Sequence, residues 1–106
     1  MNKQIPSLEE VKTLALEVLI SDHFSKYFSM KQLRDEVVIK KYNIRLRELQ
    51  HEELYKDIRF RIGKQLVYLF REFRTKGYII KYSNKFWLII KDKIRKDVVD
   101  GQEKHT

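Results

Sequence analysis

The sequence predicts a mainly α chain that closes on a small β-hairpin, an α+β protein. Three observations predict it. Residues 57–76 repeat Ile58, Ile62, Leu66, Leu69 and Phe73 at helical spacing, which gathers them on one narrow arc at 100° per residue. The runs YIIKY and FWLII flank Ser83-Asn84-Lys85, and β-branched and aromatic residues around a short polar turn read as two paired strands. Upstream, two Ser-x-x-Glu/Gln patterns stand before apolar-periodic runs and mark helix starts.

The first helix is expected over residues 8–20. Ser7 and Glu10 form the capping pattern, and Leu8, Val11, Leu14, Ala15, Val18 and Leu19 fall on one broad face. Between residues 21 and 29, Tyr27 and Phe28 read either as a short strand or as core plugs. Ser29, with Gln32 three positions on, caps a second helix at about 30–41, and Met30, Leu33 and Val37 make its apolar edge. Asn43 is its stop. Residues 44–56 hold no Gly or Pro and only a weak stripe of Leu46, Leu49 and Leu54; they predict a short helical connector.

The third helix is expected at 57–76, capped by Asp57 and ended by Gly77, a residue suited to the position after a helix. Its far arc holds Phe60, Arg61, Lys64, Tyr68 and Arg71. Phe60 is expected to pack against the connector, and the bland reading of Gly63 inside the helix is a close approach of the first or second helix. The hairpin, 78–90, has a basic or polar tip of Lys81, Ser83, Asn84 and Lys85. Trp87 alternates with Phe86 and Leu88, so the strand is apolar on both faces, and residues 91–99 are expected to cover part of it. A domain over 1–90 is thus followed by a charged tail, 91–106, in which Ile94 and Val98 give a short helix one apolar edge before a frayed end.

Composition narrows the function. The chain has 106 residues, no cysteine and three histidines without zinc-like spacing, which leaves no disulfide framework, no thiolate metal site and no expected cofactor. No apolar run approaches a membrane span, and the first residues lack a signal core; an intracellular protein, cytoplasmic or nucleoid-associated, is expected. The net charge is +8, and residues 57–90, with eight Lys/Arg against two Asp/Glu, carry +6 of it. An excess this local points to a polyanionic partner. Catalysis needs a convergent constellation. The sequence has no G-x-S-x-G, P-loop or H-E-x-x-H, and the pairs Glu9–Glu10 and Glu52–Glu53 are adjacent residues that point apart on a helix, so no enzyme is expected.

The order helix, short extended piece, helix, helix, hairpin resembles the winged helix-turn-helix family of DNA-binding domains. YFSMKQLRDEV looks like the entry to that family's second helix, RIGKQLVYLFREFRTKGYI like its third helix with a closing K-G-Y-I corner, and FWLI like a returning wing strand. The resemblance covers about residues 8–90, and the dozen or so residues between helices two and three are longer than a simple turn. It implies a three-helix core with a two-stranded wing and a third helix that lies in the DNA major groove. Arg61 and Gln65 would then reach base edges, Lys64 and Arg71 would hold phosphate, and Arg59 and Tyr68 would flank them. Lys81 and Lys85 would neutralise phosphates beside the wing.

Double-stranded DNA is therefore the expected partner, in a transcriptional regulator, with a homodimer weighed as its form. Two alternatives stay open. One is a winged-helix domain used for protein contact through Trp87, Ile89 and the tail. The other is RNA binding, with bases stacked on Phe60 and Tyr68.

Overall fold

The computed structural model describes residues 5–51 and 53–103, with side chains as far as residue 98. Glu52 and the expected frayed end at 104–106 lie outside the described residues. The chain is mainly helical with a small three-stranded antiparallel sheet.

Helix α1 (Leu8–Ile20) starts at Ser7, whose Oγ accepts the Glu10 amide at 3.1 Å. Only half of the expected capping box forms. The Glu10 carboxylate turns outward and accepts Lys41 Nζ at 2.6 Å, pinning α1 to the end of the next helix. Helix α2 (Met30–Tyr42) has the complete box: Gln32 N donates to Ser29 Oγ at 3.2 Å, and Ser29 N donates to Gln32 Oε1 at 2.8 Å. It stops at Asn43, in the left-handed region at φ 52°, a conformation that Asn accepts at small cost.

The connector forms helix α3 (Leu46–His51), which buries Leu49 and leaves Leu46 exposed. The long helix α4 (Leu54–Thr75) starts three residues before its expected position. Asp57 is therefore a first-turn residue rather than the cap. Glu53 fills the cap position in helical geometry with no side-chain bond. Tyr55 joins the core as a result. At the far end, Gly77 sits at φ +77°, and Tyr78 N donates to Phe73 O at 2.9 Å.

The sheet has one strand more than the expected hairpin. Strand β3 (Phe86–Ile89) runs between β1 (Tyr27–Ser29) and β2 (Ile79–Lys81). Tyr27 and Ile80 both oppose Leu88, and Phe28 and Lys81 both oppose Trp87. Tyr27–Phe28 is thus both of the things weighed for it, a strand and a core plug, since Phe28 is fully buried. Side chains alternate across the sheet. Phe28, Ile79, Trp87 and Ile89 face the helices, and Tyr27, Ile80, Phe86 and Leu88 face away.

The core is one cluster. Ile58, Ile62, Leu66, Leu69, Phe70 and Phe73 of α4 meet Val11, Ala15 and Leu19 of α1 and Leu33, Val37 and Val38 of α2. Phe70 joins helix to sheet, with ring centroids 6.0 Å from Phe28 and 5.3 Å from Trp87, both edge-on. Residues 91–103 form helix α5 (Lys91–Glu103), which packs on α1 and buries Ile94 completely. Residues 91–98 are therefore part of the packed body, while Tyr27, Ile80 and Phe86 on the outward sheet face remain exposed. Among the described residues no helix is long and apolar enough to cross a membrane.

Candidate nucleic-acid interface

Helix α4 buries one arc and offers the other to solvent. At 100° per residue, Lys56, Phe60, Lys64, Val67, Arg71 and Arg74 line up along the exposed side. All six are exposed, Phe60 by 61% and Val67 by 58%. Phe60 thus does not pack on the connector. Its ring lies under Lys64 Nζ, 4.6 Å from the centroid, which keeps both groups on the outer face.

The carboxylates of this helix are neutralised at close range. Asp57 Oδ2 accepts Arg61 Nε at 3.0 Å one turn along. Glu72 takes Lys12 of α1 on both oxygens, at 3.0 and 2.9 Å, and Lys76 at 3.7 Å. The hydrogen bond from Lys12 holds the Glu72 carboxyl below its ordinary range. Lys64, Arg71 and Arg74 make no ion pair with another described residue, so the exposed side is cationic along most of its length.

The expected site residues do not all share this surface. Lys64, Arg71 and Tyr68 do, and Tyr68 and Arg71 also edge a groove against Leu8, Glu9 and Lys12 of α1. Arg61 is exposed, but Asp57 holds its guanidinium. Arg59 turns to the other flank. There it lines an open groove of about 820 Å³ with Lys56 and Phe60 of α4 and Lys31 and Arg34 of α2, in which Glu53 and Asp57 are the two carboxylates. Gln65 is withdrawn from the exposed face: its Nε2 donates to the Pro6 carbonyl at 2.9 Å, and its Oε1 is buried without a protein partner. The segment before α1 lies over it.

The hairpin lysines also separate. Both are exposed, but Lys85 stands in the turn, whereas Lys81 lies on the helix-facing side at the strand end, its Nζ 5.6 Å from the Trp87 ring centroid. Arg74 Cζ lies 5.4 Å from that same centroid. Trp87 therefore brings the C-terminal end of α4 and the hairpin into one basic cluster. Of the two residues weighed for a protein partner, Ile89 is buried and Trp87 is half-buried against Phe70.

Lys31, Arg34, Lys56 and Arg74 were not among the sequence candidates. Lys56 was reachable from its spacing of four to Phe60, had the helix start been placed at Leu54. Arg74 lies on the same arc as Arg71. Lys31 and Arg34 carry no such signal, since only the packing of α2 on α4 brings them to the groove. Searches against family models, curated proteins and solved structures found no match to this chain.

Proposed function

We propose that this protein binds double-stranded DNA in a sequence-dependent way, as an intracellular regulator of transcription. In this reading α4 enters the major groove and the β2–β3 hairpin acts as the wing of a winged-helix domain. The observation that carries it is the solvent face of α4: a row of cations interleaved with Phe60, Val67 and Tyr68, while both acids of that helix are held in ion pairs. The sheet order β1-β3-β2, with the strand after α1 closing onto the hairpin, supports the winged-helix reading.

A major groove admits one helix, and its walls are phosphates. Lys64 and Arg71, central on the exposed row, are the residues for base and backbone contact. Arg59, Lys56 and Lys31 reach phosphate from the α2 side, and Lys85 reaches it from the hairpin. Arg61 reaches the groove only after leaving Asp57. Tyr68 offers a ring to a thymine methyl and a hydroxyl to a wet interface. Gln65, engaged with Pro6, has no part in base contact.

Fluorescence anisotropy of a random duplex at two salt concentrations tests this. The expected result is binding whose logarithm falls linearly with the logarithm of salt, with a slope of about −0.9 for each phosphate neutralised. Binding that is absent, or indifferent to salt, overturns the reading.

A further inference from the structure

We propose that the outward face of the sheet is a second binding surface, on which the bases of a single-stranded nucleic acid stack. This surface is distinct from the exposed side of α4 and does not rest on the duplex reading. Its residues come from all three strands. Tyr27 of β1 and Ile80 of β2 flank Leu88 of β3 in one row across the sheet, and Phe86 stands in the next. Tyr82 follows Ile80 on the same side, and its ring meets Tyr27, with centroids 4.8 Å apart. Two edge tyrosines therefore close over the middle strand, yet Tyr27 remains 44% exposed, Tyr82 66% and Phe86 41%.

This face has the chemistry that unpaired bases need. Stacking requires exposed rings on a firm support, and it tolerates any base because every base has a π-face. Here the support is a sheet whose inner side is anchored by Phe28, Ile79 and Ile89 in the core. The backbone of a single strand requires positive charge and no carboxylates. The three strands and the β2–β3 turn contain neither Asp nor Glu; Lys85 is exposed in the turn, and Lys26 is exposed just before β1, in a groove it shares with Asp92 and Arg95. A second copy of the chain is the poorer occupant. It would bring together two faces whose strands hold no carboxylate to meet the Lys85 of the other copy, in a protein of net charge +8.

The test uses the full chain with fluorescein-labelled oligo-dT and oligo-U of about 12 nucleotides, within the span of known single-strand platforms. Tyr82→Leu and Phe86→Leu keep apolar area and remove the rings, at exposed positions where the fold tolerates change. The expected result is binding of both oligonucleotides, weakened by about tenfold or more in the double variant and kept in Tyr82→Phe. Lys64→Ala/Arg71→Ala serves as the separator. It should weaken duplex binding and leave the single strand bound, so that the two surfaces fail independently. No single-strand binding at low salt, leucine variants that bind like the parent, or loss of the single strand in Lys64→Ala/Arg71→Ala would each overturn the proposal. So would sedimentation equilibrium showing a dimer disrupted by Tyr82→Lys together with no oligonucleotide binding.

Discussion

The Tyr78 hydroxyl donates to Asp97 Oδ2 at 2.7 Å, joining the corner after α4 to helix α5. Burial, reinforced by that bond to a carboxylate, pushes the Tyr78 phenol up to about 12. A group whose folded pKa exceeds its unfolded value of about 10 stabilises the fold below that value and loses the contribution as pH rises through the folded one. Urea unfolding should therefore show stability falling between about pH 10 and 12. In Tyr78→Phe the fall should be shallower without vanishing, because burial also raises Tyr42. At neutral pH the same variant should cost about 1 kcal/mol, the net worth of one hydrogen bond.

Asp57 restrains Arg61. The pair is exposed and one turn apart, so its loss should change stability by less than about 1 kcal/mol even with the helix-dipole contribution of Asp57 included. Asp57→Asn should tighten duplex binding by about three- to tenfold and steepen its salt dependence, since it frees a guanidinium and removes a negative charge from the α4 face. Anisotropy titration measures both quantities. An unchanged affinity would mean that Arg61 does not face the DNA.

Two glycines should answer to alanine in opposite ways. A Cβ at Gly63 would meet only the Arg34 Cδ, at 3.4 Å, an ordinary contact with a flexible stem. Gly63→Ala should gain up to about 1 kcal/mol from helix propensity, with duplex affinity unchanged. Gly77 has open space, with Lys93 Cε at 3.9 Å, but its φ is +77°. Gly77→Ala should lose about 1–2 kcal/mol to that conformation alone. Thermal melts of the pair would show the contrast.

Gln65→Ala should lower stability by about 1 kcal/mol through the lost bond to Pro6. The ranking of duplex sequences in a competition series should stay as in the parent. A changed ranking would place Gln65 at a base edge after all.

Much of the fold was legible where the signal is local. Ser29 and Gln32 are three residues apart and cap α2 as expected, and Asn43 ends it. Legibility failed where the deciding partner is distant. Asp57 resembles a cap because of the residues after it, yet α4 begins earlier, where Tyr55 gains a place in the core. The third strand was uncertain because Tyr27–Ser29 is three residues long and its partner lies near residue 87. Phe60 and Gln65 show the same limit at the candidate interface. By helical angle Phe60 stands opposite the core arc and no described residue covers it, whereas Gln65 falls about 20° from Ile58 at the edge of that arc, where the segment at Pro6 covers it. Lys64 and Arg71 were identified correctly as exposed because that judgement needs only the helix's own periodicity.

The middle strand of the sheet is the last one synthesised. Tyr27 pairs with Leu88 across more than half of the chain, and β2 pairs with the same strand. During translation both outer strands must wait for residues 86–89, while α1, α2 and α4 can already dock. Closing so long a loop is slow relative to local helix formation. A chain ended at residue 85 would thus leave Phe28 and Ile79 without the strand that joins them, and the final four residues of the sheet decide when the hairpin becomes rigid.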